Sequence, residues 1–174
     1  SPVPASIVKR RTEGVKAMLL PRGHEPMDNS AYPWLLAGAK TLSYAVNMAV
    51  LRYVQERGAD DAIFITDERR VLEGATSSVL VAKIENGKKV LYTPEPSHGI
   101  LPGTTQGAVF EAARQAGWEL GFGPLYPQDL FESDGVWLAS SVRLIAPVTH
   151  LNGTALAHDP ELTATLLNYL AQQS

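Results

Sequence analysis

Four groups along the chain have complementary chemistry. Lys40 lies in the stretch AGAKTLSYAVNMAVLRYV (37–54), where within residues 44–54 only Asn47 and Arg52 are strongly polar. An ammonium beside so apolar a segment costs roughly several kcal/mol unless it is paired, neutralised or covalently consumed. Desolvation favours the neutral, nucleophilic form of an amine. Glu73, in RVLEGATSSV (70–79), sits in or at the end of a strand among Val71, Leu72 and Gly74, where a carboxylate wants a cationic partner. LPGTT (101–105) leads into a helix start, whose free N–H groups and dipole favour an anion such as phosphate. LASSV (138–142) brings the hydroxyls of Ser140 and Ser141 to the end of another strand.

An amine nucleophile, a carboxylate and a phosphate cradle are together what pyridoxal phosphate requires: a Schiff-base lysine, an acid at the pyridine nitrogen, and a helix end for the phosphate. Each group also has an ordinary structural alternative. Lys40 can extend into water from its helix, as lysines near apolar surfaces do. Glu73 can pair with Arg69 or Arg70 as a strand-edge charge. Thr104 and Thr105 can simply cap their helix, and the two serines can close a strand. Taken singly, none of the four decides.

These groups need elements to hold them. SIVKRRTEGVKAMLLPRG (6–23) reads as one or two exposed strands around Gly14, its basic cluster Lys9–Arg11 being a solvated face. HEPMDNSAYP (24–33) reads as loop. A helix capped by Thr41 or Ser43 runs to about Arg57, with Gly58 suited to its left-handed terminus; apolar residues nearly encircle it, which predicts an inner helix. AIFIT, VLEG, SSVLVAKI and KVLYTP, separated by DERR and ENGK, read as an antiparallel meander. EPSHGILPG is loop. TTQGAVFEAARQAG is a helix with Val109, Ala112, Ala113 and Ala116 on one stripe and Gly117 at its end. GVWLASS and RLIAPVTHLNG read as strands with a short helix at PQDLF before them. A last helix opens at Asp159–Pro160 and packs through Leu162, Leu166, Leu167 and Leu170. The expectation is one α+β domain with a mostly antiparallel sheet.

Composition bounds the rest. The chain has 174 residues, 45% hydrophobic and 19% charged, enough for one packed core. A net charge of −3 and a pI near 5.8 show no nucleic-acid footprint or polybasic membrane patch. No apolar run approaches the roughly 20 residues that span a bilayer. The absence of cysteine excludes disulfides and thiolate metal sites and fits a reducing cytoplasm. The histidines His24, His98, His150 and His158 lack metal-ligand spacing, so no metal is expected. The first residue is Ser, with no targeting pattern after it, so a longer parent chain is expected.

The order and spacing of AKTLSYA, DDAIFITDERRVLEGATSSVLVA, LYTP, ILPGTTQGAVFEAA and WLASSVRLIAPV resemble the large domain of class IV (fold type IV) pyridoxal-phosphate enzymes, over about residues 37–150. The 33 positions from Lys40 to Glu73 suit that family's pattern. The resemblance implies that Lys40 forms the Schiff base and shuttles the proton, and that Glu73 pairs with the pyridine nitrogen. It further implies that Leu101 packs on the ring, that Thr104 and Thr105 bind phosphate, and that Ser141, beside Ser140, supplies the hydroxyl of a second phosphate loop. Ser77 and Ser78 fall in the loop that lines the cofactor in relatives.

Departures narrow the likeness. TLS follows the lysine where branched-chain aminotransferases carry Gly-Gly-Asn-Tyr, and Ser78 stands where many relatives place Asn. The chain is most similar to the aminodeoxychorismate lyase branch. This implies pyridoxal-phosphate-dependent elimination giving 4-aminobenzoate and pyruvate, with transamination of D- or branched-chain amino acids as the alternative. A non-catalytic small-molecule-binding domain that kept the fold is an alternative of another class. Arg143 is a candidate for substrate carboxylates, against the alternative of a surface ion pair. The resemblance also implies a homodimer acting on a small amino substrate. Residues 1–36 would then join a smaller N-terminal domain to a cofactor-binding domain at 37–174.

Overall fold

The computed structural model describes residues 2–22, 35–94, 104–141 and 144–173. The first element is a helix, α1 (Ala5–Glu13), and not the expected strand. Lys9 and Glu13 pair one turn apart at 3.5 Å, and Arg10 reaches Asp60 at 3.6 Å. The β-branched residues Ile7 and Val8 favour a strand, yet the spacing of these charges suits a helix equally well. Gly14 ends it with φ +83°, donating its N–H to Arg10 O at 2.9 Å. A Cβ at Gly14 would lie 2.7 Å from Pro147 O, so both the turn and the close approach need glycine here.

Strand β1 (Val15–Pro21) follows, then helix α2 (Leu35–Glu56) and strands β2 (Asp61–Ile65), β3 (Val71–Gly74), β4 (Ser78–Glu85) and β5 (Lys88–Thr93). Next come α3 (Thr104–Gln115), β6 (Glu119–Phe122), α4 (Pro127–Phe131), β7 (Gly135–Ser140), β8 (Leu144–Leu151), β9 (Thr154–Ala155) and α5 (Pro160–Gln173). The sheet runs β3-β2-β1-β8-β7-β4-β5-β6, with β9 on β8. Most pairings are antiparallel, as expected, but β1 lies parallel to both β2 and β8, and β6 parallel to β5. The expected meander holds only in part. β2–β3 and β4–β5 are antiparallel pairs, the second turning through Asn86 and Gly87 at φ 53° and 77°. Between β3 and β4, however, the chain leaves the sheet edge to pair with β7. Local sequence marks a turn there but not which strand the next one will meet.

Alternation along the strands builds two cores. Val79, Val81, Val136 and Leu138 belong with Ala146 and Val148 to one face, which also gathers Val15, Ile63 and Val71. The intervening Leu80, Ala82, Trp137, Ala139 and Ile145 meet α3 through Val109, Phe110 and Ala113 and α5 through Leu162 and Leu166. Ala116, expected on the buried stripe of α3, is exposed. Asp159 accepts the N–H of Glu161 at 2.9 Å and so caps α5 as its sequence suggests.

Helix α2 begins at Leu35, so Lys40, Thr41 and Ser43 lie inside it, not at its mouth. Val50, Leu51 and Val54 pack it onto β1 and β2. Tyr44, Val46 and Tyr53 on it remain exposed, contrary to the expected inner helix. An all-round apolar helix reports that cover is needed, not what supplies it.

Candidate functional site

The candidate site is built at the ends of strands. Glu73 lies in the four-residue β3 between Leu72 and Gly74, and Ser77 follows in a turn closed by Gly74 N–H to Ser77 O at 2.8 Å. A Cβ on Gly74 would fall against Ser77 Oγ, so the missing side chain makes room for that hydroxyl. Ser77 Oγ is buried and has no hydrogen-bond partner among the described residues. A buried hydroxyl without a partner costs about 1–3 kcal/mol, which singles it out as a group awaiting an acceptor.

Register brings the other serines to it. In the β4–β7 pair Ser78 is opposite Ala139, so Ser77 and Ser140 are the next facing positions at the same end of adjacent strands. Ser141 continues into the turn and is exposed. Leu144 resumes the hairpin opposite Ser140 with φ 61°, a left-handed conformation uncommon for leucine, immediately after this turn. Helix α3 starts at Thr104, with Thr105 half-buried, and lies over β7 through the core that Val109 and Ala113 share with Trp137 and Ala139. Leu101 and Arg143 lie outside the described residues, as do the side chains of Lys40 and Thr104. The backbone of α2 does place position 40. At 3.6 residues per turn it shares a stripe with Asn47, Leu51 and Val54, and the last two pack on the sheet.

Glu73 has an ion-pair partner that the sequence did not suggest. Arg22 Nη1 lies 3.2 Å from Glu73 Oε1, and the guanidinium also sits 5.8 Å from the Phe64 ring centroid. The anticipated alternatives do not supply this pair: Arg70 Nε lies 3.7 Å from Glu68, and Arg69 occupies the tip of the β2–β3 turn at φ 65°. A lone arginine after a strand, in LPRG, offered no local signal, because β1 and β3 come together only across β2.

Clearly displaced titrations, among the described residues, belong to surface pairs. Lys88 is raised by its hydrogen bond to Glu119, and Glu111 is lowered, and Arg114 raised, by the hydrogen bond between them. They lie apart from the candidate site. No cluster of three or more metal-ligating side chains occurs among the described residues, and no helix there is long and apolar enough to cross a membrane.

The α+β sheet carries an acid on β3 and hydroxyls at the adjoining ends of β4 and β7, with α2 packed on β1 and β2 and α3 on β7, and this architecture is that of a known enzyme fold. The chain belongs to the class IV aminotransferases: residues 8–151 match the family described as "Amino-transferase class IV". It is 47% identical, over 92% of its length, to a bifunctional aminodeoxychorismate lyase / D-amino acid transaminase of Mycobacterium tuberculosis, of which it covers 56%. Among solved structures it resembles the PLP-bound form of a hypothetical aminotransferase from M. tuberculosis, with TM-score 0.85 and 45% identity over 99% of this chain and 59% of that one. It also resembles a fold IV transaminase from Curtobacterium pusillum, with TM-score 0.79 and 41% identity over 94% of this chain and 53% of that one. The chain therefore spans a little over half the length of these relatives.

Proposed function

We infer that this chain is the cofactor-binding part of a pyridoxal-phosphate enzyme that cleaves 4-amino-4-deoxychorismate to 4-aminobenzoate and pyruvate. Transamination of D-amino acids is the second reading, because the 47%-identical relative is named for both activities. The carrying observation is the Ser77 hydroxyl, buried without a partner among the described residues, at the strand ends where it faces Ser140 and one turn from Glu73.

The residues fit pyridoxal phosphate in kind. Ser77, Ser78, Ser140, Ser141 and Thr105, with the first N–H groups of α3, are donors suited to a phosphate dianion. Glu73 is an anion suited to a protonated ring nitrogen. When bound, the cofactor supplies an electron sink for the carbon next to the substrate nitrogen. Lys40 would supply the amine that anchors it and would act as the general base toward that carbon. Leu101 would pack on the ring, and Arg143 would orient substrate carboxylates through its fixed fork of donors. In the lyase, Lys40 would remove the proton, the ring C–O bond to the neighbouring enolpyruvyl group would break as the ring aromatises, and the enolpyruvate released would take up a proton to become pyruvate. In the transaminase, Lys40 must also deliver the proton to a second carbon. The remaining length of the relatives would correspond to a smaller domain completing the pocket, in a homodimer.

The test uses the full-length protein. Borohydride should fix the cofactor onto a peptide containing Lys40, and Lys40→Ala should abolish that covalent attachment. Pyruvate and 4-aminobenzoate released from aminodeoxychorismate without a keto-acid acceptor support the lyase. Product formed only from D-amino acids with an acceptor supports the transaminase. A colourless protein that binds small amines without turnover would leave the non-catalytic alternative.

A further inference from the structure

Arg22 plays no part in the chemistry above, yet it is fixed at three points. Its N–H donates to Ile65 O at 3.1 Å, continuing the β1–β2 pairing one residue beyond Pro21 and Ile65. Its guanidinium lies 5.8 Å from the ring centroid of Phe64, which is buried with Leu72 and Ala75 against Val50 and Leu51 of α2. Its Nη1 reaches Glu73 Oε1 at 3.2 Å. The two side chains are only 26% and 20% exposed, so water screens this pair less than a free surface pair. An arginine pinned through its backbone and resting on a buried ring gives up little further freedom in holding a carboxylate.

We propose that Arg22 is a positioning residue: it fixes the Glu73 carboxylate in the orientation that receives the cofactor's ring nitrogen. This rests on the assignment of Glu73 made above. The ion pair gives Arg22 a role that acts through Glu73. Its effect on cofactor binding should therefore depend on the carboxylate being present.

A double-mutant cycle tests this in the full-length protein, by equilibrium titration of pyridoxal phosphate followed through its visible absorbance. Arg22→Met should raise the Kd about tenfold in the wild-type background, the loss expected for one charge-assisted hydrogen bond. In a Glu73→Gln background the same change should alter the Kd less than about twofold, because there is no carboxylate left to orient. Arg22→Lys, which keeps the charge without the fork, should recover part of the loss, and thermal midpoints of the cofactor-free variants verify folding. Equal effects of Arg22→Met in both backgrounds would overturn the proposal while leaving the cofactor site intact. A wild-type protein that borohydride does not label at Lys40 would overturn the site assignment and this proposal together.

Discussion

Ser77→Ala should move stability and cofactor affinity in opposite directions. In the cofactor-free protein Ser77 Oγ is buried without a partner among the described residues. Removing such a hydroxyl recovers a desolvation cost of about 1–3 kcal/mol. Against this stand the lost contacts of one oxygen packed over Gly74, worth roughly 0.5 kcal/mol at about 0.1–0.2 kcal/mol per atom pair. The net expectation is a gain of about 1 kcal/mol, which for a domain of this size is a thermal midpoint about 2–4 °C higher. With cofactor the hydroxyl has its acceptor: losing one hydrogen bond of about 1 kcal/mol weakens binding roughly fivefold and offsets that gain in the bound protein. Differential scanning calorimetry of the cofactor-free protein and an absorbance titration with pyridoxal phosphate read the two halves separately. A midpoint lowered by more than about 2 °C in the cofactor-free variant would mean that the hydroxyl already has a partner, and the reasoning would be wrong. An unchanged Kd would remove Ser77 from the cofactor's contacts.

Three further outcomes are expected. Gly14→Ala should cost more than about 2 kcal/mol in urea unfolding, from left-handed strain together with the overlap on Pro147 O. Trp137→Phe removes the 2.9 Å hydrogen bond from Nε1 to the buried Thr163 hydroxyl, and should lower stability by about 1–2 kcal/mol without changing which cofactor atoms are bound. Glu111 is held below its ordinary 4.5 by hydrogen bonds from Arg114 and Gln115. A depressed carboxylate contributes stability that is present above the unfolded value and lost as pH falls through the folded one. The small difference in thermal midpoint between wild type and Glu111→Gln should therefore be largest above pH 4.5 and close on acidification.

By itself the sequence determined what local chemistry can specify. The Asn86–Gly87 turn, the buried stripe of α3 at Val109, Ala112 and Ala113, and the Asp159–Pro160 start of α5 each depend on residues within a few positions of one another. Glu73 and the serine pairs were legible as residue types out of place on a strand end. Tertiary structure decided what depends on distant partners. It made residues 5–13 a helix, seated against the sheet by Gly14 and by Arg10 on Asp60. It broke the meander by pairing β4 with β7, which is what sets Ser77 beside Ser140. It brought Arg22 to Glu73 across β2, from 51 positions away. Turn and helix signals act through neighbouring dihedrals and side chains, whereas strand order and ion pairs are chosen by the folded whole, so the partner of a charge is written nowhere near the charge.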